Sequence, residues 1–260
     1  MDRKEEKGPD HKGGNIHFWT GSEVSEYDKN QVLFVEYKSD INRSIARIAK
    51  YHSEKNEILS PTILDIGCGP GTLSQELLEF IPGCEVTGVD SSEGMVLASL
   101  DKLRKYVPHG YKAVLSNFNE DDFFSAVIPQ EFDLIVSSLA LHYVSDERKS
   151  ALFKEIHKHM KENGLFIACI GNLSKNPQTK EMEEVFKAEY AYENAMKKSG
   201  NNLTIQSFKS FFSGLRARQK DMNINWRSPE DYLIILKDAG FTQPEIVWHA
   251  WTKSIYIAEK

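Results

Sequence analysis

The glycine run Asp65-Ile66-Gly67-Cys68-Gly69-Pro70-Gly71 restricts the fold of this chain more than any other stretch, because of what flanks it. Before it lies a short apolar run, Thr62–Ile66. After it, Leu73, Leu77 and Phe80 mark one face of a helix over Thr72–Phe80. A tight turn between strand and helix lets backbone approach a ligand closely, since glycine has no Cβ to collide and tolerates positive φ. The alternation continues downstream, with strands predicted over residues 85–89, Tyr111–Leu115, 132–137 and 164–170 and helices over 93–106 and 146–160. Strands alternating with helices imply right-handed crossovers and a parallel sheet covered on both faces.

The flanks of this alternation read differently. Residues 1–15 carry charge and glycine but almost nothing apolar, and cannot offset the entropy of becoming ordered, so a disordered tail is expected there. Over residues 31–51, Val35, Ile41, Ile45 and Ile48 recur at helical spacing. Beyond Ile170 the alternation stops, and 172–228 reads as a mostly helical insertion with amphipathic stretches at 182–196 and 205–215. Ser228 then offers an N-cap and Pro229 a first helical residue for a helix reaching Ala239 and stopped by Gly240. Strands over 245–250 and 254–258 close the chain as a hairpin. The layout expected is a tail (1–15), an N-terminal helical lid (16–55), a nucleotide-binding core (56–171), a helical insertion capping the substrate (172–228) and a closing helix and hairpin (229–260).

Composition narrows the setting. At 260 residues and 40% hydrophobic, the chain can bury one large α/β core with an insertion. No apolar run approaches the roughly 18 residues that a membrane span needs, and the charged start lacks a signal-peptide stretch, so a soluble cytoplasmic protein is expected. Cys68, Cys84 and Cys169 lack the paired spacing of a zinc site or disulfide framework, which predicts reduced thiols and no metal. A net charge of -6 argues against broad nonspecific nucleic-acid binding, while a local basic patch keeps RNA open.

Two acids give the glycine run its chemistry. Asp90, at the end of Val86-Thr87-Gly88-Val89 and about 20 residues past the glycines, stands where a carboxylate accepts hydrogen bonds from two ribose hydroxyls. Asp65, just before the first glycine, can orient the loop and face a cationic ligand. A nicotinamide fingerprint needs no acid there and prefers a later third glycine, so a dehydrogenase is disfavoured.

These segments resemble the class I S-adenosylmethionine (SAM)-dependent methyltransferases. Residues 63–72 are similar to the family's first motif, and Val86-Thr87-Gly88-Val89-Asp90-Ser91-Ser92-Glu93-Gly94-Met95 to the segment that follows it. Residues 132–143 resemble the fourth motif, and Asn163-Gly164-Leu165-Phe166-Ile167 the next strand. The resemblance implies a Rossmann-like, seven-stranded, mostly parallel sheet with helices on both faces, ending in an antiparallel hairpin. It also implies SAM as cofactor: Gly67, Cys68, Gly69 and Gly71 around its methionine part, Asp65 near the amino group and sulfonium, and Asp90 with Ser91 on the ribose. Met95, Asn117 and Phe118 would lie by the adenine, and Ser137 beside the cofactor at the end of the fourth strand. Where many members carry an acid to bind the adenine amine, this chain has Asn117, whose amide oxygen can still accept.

Several residues carry two readings each. His142 would lie near the acceptor and serve as a general base, or it is a partly buried, helix-initiating histidine. Phe18, Trp19, Tyr27 and Tyr37 form an aromatic lid attractive to a sulfonium, with Tyr27 and Tyr37 first, or they pack an N-terminal helix. Arg216, Arg218, Lys220 and Arg227, with Asp221 among them, receive an anionic substrate group or form a solvated face. Phe208, Phe211 and Phe212 line a pocket or belong to the core. The leading function is methyl transfer by in-line displacement to a small-molecule acceptor. The alternatives are a tRNA (carboxy)methyltransferase, through a loose resemblance of residues 236–241 and the hairpin to tRNA wobble-uridine carboxymethyltransferase relatives, and a non-catalytic SAM-binding protein.

Overall fold

The computed structural model describes residues 35–127, 131–199 and 226–260. The expected tail, Phe18, Trp19 and Tyr27, and the part of the insertion holding Phe208, Phe211, Phe212, Arg216, Arg218, Lys220 and Asp221, lie outside the described residues.

In chain order the elements are α1 (Lys38–Lys55), β1 (Thr62–Ile66), α2 (Thr72–Phe80), β2 (Glu85–Asp90), α3 (Glu93–Lys102), β3 (Tyr111–Leu115), β4 (Phe132–Ser138), α4 (Asp146–Lys158), β5 (Met160–Gly171), α5 (Pro177–Ser199), α6 (Pro229–Asp238), β6 (Thr242–Ala250) and β7 (Lys253–Glu259). The strands form one sheet in the order β3-β2-β1-β4-β5-β7-β6. The first five run parallel, and β7 pairs antiparallel with β5 and with β6. The expected Rossmann-like fold with its antiparallel hairpin is thus present.

Both faces of the sheet are covered, which explains the near-continuous burial along β1 and β4. Successive residues point to opposite sides. Leu64, Ile66, Ile135 and Phe166 pack with Leu152, Phe153 and Ile156 of α4 and Tyr232 and Leu236 of α6. Ile63, Leu134, Val136 and Ile167 pack with Ile41 and Ile45 of α1 and Leu73 and Leu77 of α2. Removing one of these buried Leu or Ile side chains to Ala costs about 2–5 kcal/mol.

Some boundaries shift from their expected places. The helix predicted to residue 106 ends at Lys102: buried Leu103 closes it through its N–H to the Ser99 carbonyl, and turns then carry the chain to Tyr111. Pro108 also disfavours helical backbone just before it. The helix predicted to residue 160 ends at Lys158, because Met160 already pairs with Phe132 at the start of β5. The α6 start matches its reading, with a reciprocal cap: Ser228 Oγ accepts the Asp231 N–H at 3.2 Å and Asp231 Oδ2 accepts the Ser228 N–H at 3.3 Å. β6 begins earlier than predicted and accommodates Pro244 because it is the edge strand.

Strand order reverses direction between β1 and β4, since the chain steps outward from β1 to β2 and β3 and then returns to β4 on β1's other side. At such a point the loops leaving the two strands diverge and open a crevice beyond their carboxyl ends.

Candidate active site

The loop after β1 forms one wall of this crevice. Gly67 and Cys68 donate their N–H groups to the Val89 carbonyl at 2.8 and 3.0 Å, tying the loop to β2. Gly67, Gly69 and Gly71 have φ of 71°, 53° and 82°, a region that L side chains rarely adopt. A methyl group at Gly67 would overlap Ala140 Cβ, so the loops after β1 and β4 meet there. At Gly69 a methyl group would find nothing within 4 Å, and that face of the loop is open.

Asp90 organises the loop from the end of β2. Its Oδ2 accepts the Gly69 N–H at 2.9 Å and its Oδ1 the Ser92 N–H at 3.0 Å. Burial pushes this carboxyl up, opposed by the N–H groups of Ser92, Gly69 and Ser91. Three N–H groups on about four acceptor sites leave the carboxylate room for a further donor. Ser91 sits half-buried in the turn, and Ser92 caps α3 by accepting the N–H of buried Met95 at 3.3 Å.

Asp65 is almost fully buried at the end of β1. Ser74 Oγ donates to its Oδ2 at 2.7 Å, while no donor among the described residues reaches Oδ1. Burial pushes the carboxyl up to about 7, with Ser74 and Lys38 opposing. A buried carboxylate oxygen without a donor suits a cationic ligand group. Ser137 donates to the Ile66 carbonyl at 2.7 Å, pinning β4 to β1 where the crevice opens.

Other expected contacts are placed less simply. The Cys68 thiol is buried beside Tyr111, whose hydroxyl lies 3.9 Å from Sγ, and burial holds it well above its usual range, so Cys68 offers a ligand its backbone alone. The Phe118 ring edge lies near Gly67. Asn117 is engaged in its own turn, with Oδ1 accepting the Asn119 N–H at 3.0 Å and Nδ2 donating to Glu120 at 3.3 Å. The Tyr37 ring, 43% exposed, packs edge-on to Trp248 of β6 at 5.8 Å. That contact sets the ring beside the hairpin, the packing role that was the second of its two readings.

The family described as "Methyltransferase domain" matches residues 64–166, the span from β1 to β5 that builds these contacts. The chain is 22% identical to a malonyl-acyl-carrier-protein O-methyltransferase from Paenibacillus, over 85% of this chain and 82% of that one. It is 24% identical to a carboxy-S-adenosyl-L-methionine synthase from Nautilia profundicola, over 86% of each. The structure of an S-adenosylmethionine-dependent methyltransferase from Methanococcus maripaludis shares the fold with a TM-score of 0.56 and 21% identity, across 96% of this chain and 97% of that one. Human N-acetylserotonin methyltransferase in complex with SAM aligns with a TM-score of 0.55 and 16% identity, across 91% of this chain. The chain spans 55% of the length of that human protein. Residues 64–166 are thus a methyltransferase domain, within a chain that is similar to SAM-dependent methyltransferases along most of its length.

SAM is therefore the cofactor, and the crevice of this methyltransferase fits it: an open loop face at Gly69, spare lone pairs on Asp90 and an unmatched oxygen on Asp65. Among the described residues no helix is long and apolar enough to cross a membrane.

The methyltransferase's opposite wall follows β4. Leu139 adopts φ 59°, a strained value for leucine, and turns the chain so that Ala140 meets Gly67 and Leu141–Tyr143 forms a short helical turn. His142 is buried there, with Nδ1 accepting the Gly171 N–H at 3.3 Å, which leaves the ring proton on Nε2. Burial, then Lys187, Lys149, Lys253 and Lys38, push its pKa down to about 3, so the ring is neutral. A general base needs a free ring lone pair; here Nδ1 is engaged and Nε2 is a donor.

Sequence reasoning did not single out His142's neighbours. Trp226 stacks on its ring at 5.4 Å and 6°, and Lys187 of α5 lies 4.7 Å above the Trp226 ring centroid. Lys38 donates to Ser138 Oγ at 3.4 Å, and Ser138 donates to Asn42 Oδ1 at 2.7 Å. Lys253 forms a buried ion pair with Glu36 at 2.6 Å. Each contact joins residues far apart in sequence, which periodicity cannot pair.

Proposed function

We propose that this methyltransferase moves the methyl group of SAM to a small-molecule acceptor seated beyond the carboxyl ends of β4 and β5, beneath α5. The observation that carries the reading is the stack of His142, Trp226 and Lys187 beside the loop junction of Gly67 and Ala140. A flat aromatic face with two polar donors suits a small, partly apolar molecule. The methyltransferase relatives, the malonyl-acyl-carrier-protein O-methyltransferase among them, support the same reaction class.

In this reading the backbone of Gly67, Cys68, Gly69 and Gly71 holds the methionine part, and Asp65 Oδ1 takes its ammonium. Asp90 and Ser91 hold the ribose, Met95, Asn117 and Phe118 border the adenine, and Ser137 fixes the floor. When bound, SAM supplies an electrophilic methyl on a sulfonium. The chain's own part is to align an acceptor with that methyl and to exclude water, so positioning and desolvation carry the acceleration. His142 contributes as an orienting donor through Nε2–H. α5 serves as the cap foreseen for the insertion.

Incubating the protein with methyl-labelled SAM and a cell extract, then separating small molecules, RNA and protein, tests this. Label in the small-molecule fraction supports the reading, and label confined to RNA or protein refutes it. The carboxy-S-adenosyl-L-methionine synthase relative favours a second reading with a carboxylated SAM as donor or product. The mass of the nucleoside that co-purifies separates the two.

A further inference from the structure

Four lysines, Lys187, Lys149, Lys253 and Lys38, press positive potential on His142. Three have partners in the protein. Lys149 pairs with Asp146 at 3.6 Å, Lys253 with Glu36 at 2.6 Å, and Lys38 donates to Ser138. Lys187 differs: among the described residues its ammonium has the Trp226 ring beneath it and neither a hydrogen-bond acceptor nor an ion-pair partner. Glu36 and Glu184 act on it only from beyond ion-pair distance, and burial outweighs them, bringing its pKa down to about 8. An aromatic face returns part of what a half-buried ammonium loses on leaving water, and an anion would return the rest.

Resting on the acceptor site proposed above, we infer that the acceptor is a carboxylic acid whose carboxylate is held by Lys187, with its carbon frame against Trp226. The site's donors match that group. Lys187 supplies one positive charge with its donors unspent among the described residues, which suits the single charge of a carboxylate. A phosphate dianion would leave charge and oxygens unmatched. The apolar face of Trp226 suits a carbon skeleton in place of a hydrated anion.

The full-length protein saturated with S-adenosylhomocysteine is titrated with trifluoromethylbenzoate and with trifluoromethylbenzamide, read by fluorine NMR. The acid is expected to bind at least about tenfold more tightly than the amide. Lys187→Met should erase that preference and Lys187→Arg should keep most of it, with S-adenosylhomocysteine affinity, measured by calorimetry, unchanged in both. Absence of acid binding, equal binding of acid and amide, or a preference that survives Lys187→Met overturns the inference. So does a Lys187→Met variant that loses S-adenosylhomocysteine affinity while keeping the acid preference, since Lys187 would then serve the cofactor. If S-adenosylhomocysteine itself fails to bind the unmodified protein, the proposed function fails at its first step, a result distinct from the others.

Discussion

The Asp90 carboxylate and the Gly69 backbone are joined by a 2.9 Å hydrogen bond that closes the loop after β1 onto the end of β2. The loop is thereby shaped before any ligand arrives, and binding need not order it. Asp90 does two things at once: it fixes the loop from inside and offers its remaining lone pairs outward. Gly69, reached from one side by Asp90, is open on the other.

The contact of Gly67 with Ala140 sets the first prediction. Gly67→Ala adds a methyl that overlaps Ala140 Cβ and forces alanine to φ 71°. We expect a loss of about 2 kcal/mol or more in chemical denaturation. The double variant Gly67→Ala/Ala140→Gly should recover only part of it, because the overlap is relieved and the backbone strain is not.

Asp65 predicts a pH dependence with a definite sign. Its folded pKa, about 7, lies above the ordinary 3.8, so the folded state holds a proton that the unfolded state has released. Its contribution to stability is therefore lost as pH rises from about 4 to about 7. Thermal melts of ligand-free protein should show this decline lessened in Asp65→Asn. A cationic amino group favours the ionised carboxyl, so S-adenosylhomocysteine affinity should rise with pH toward about 7, by up to about tenfold per unit. Calorimetry across this range should find the rise missing in Asp65→Asn.

His142 makes the opposite contribution. Its folded pKa, about 3, lies below the ordinary 6.5, so stability from this group is present above pH 6.5 and is lost as pH falls toward 3. Ring NMR resonances assigned through His142→Gln should stay still from roughly pH 5 to 8. A titration centred near 6.5 would show that the ring is not held neutral.

Breaking the buried pair of Glu36 and Lys253 should be costly, because one charge is left without its partner. Glu36→Gln is expected to destabilise by about 3 kcal/mol or more, and Glu36→Gln/Lys253→Met to regain most of it. A double-mutant cycle in urea checks both values.

What could be read from sequence follows from how local each signal is. Thr62–Ile66, the glycine turn and Thr72–Phe80 are contiguous, so the strand, loop and helix were legible with their bounds. Asp90 was legible because one βαβ unit fixes its distance from the loop. Ser74 sits in the first turn of α2 and could have been found as the donor for Asp65, had that burial been anticipated. Which of its two readings Tyr37 follows was not legible, because its neighbour Trp248 comes from the far end of the chain and nothing local foretells that contact. The grouping of His142, Trp226 and Lys187 was hidden for the same reason, since three separate elements bring it together.

The most direct measurement is calorimetric titration of S-adenosylhomocysteine into the unmodified protein and into Asp90→Ala. The crevice described here predicts one site per chain in the unmodified protein and a loss of at least about a hundredfold in the variant, through the ribose contacts and the loop together. No binding to the unmodified protein, or equal binding to both, would contradict it.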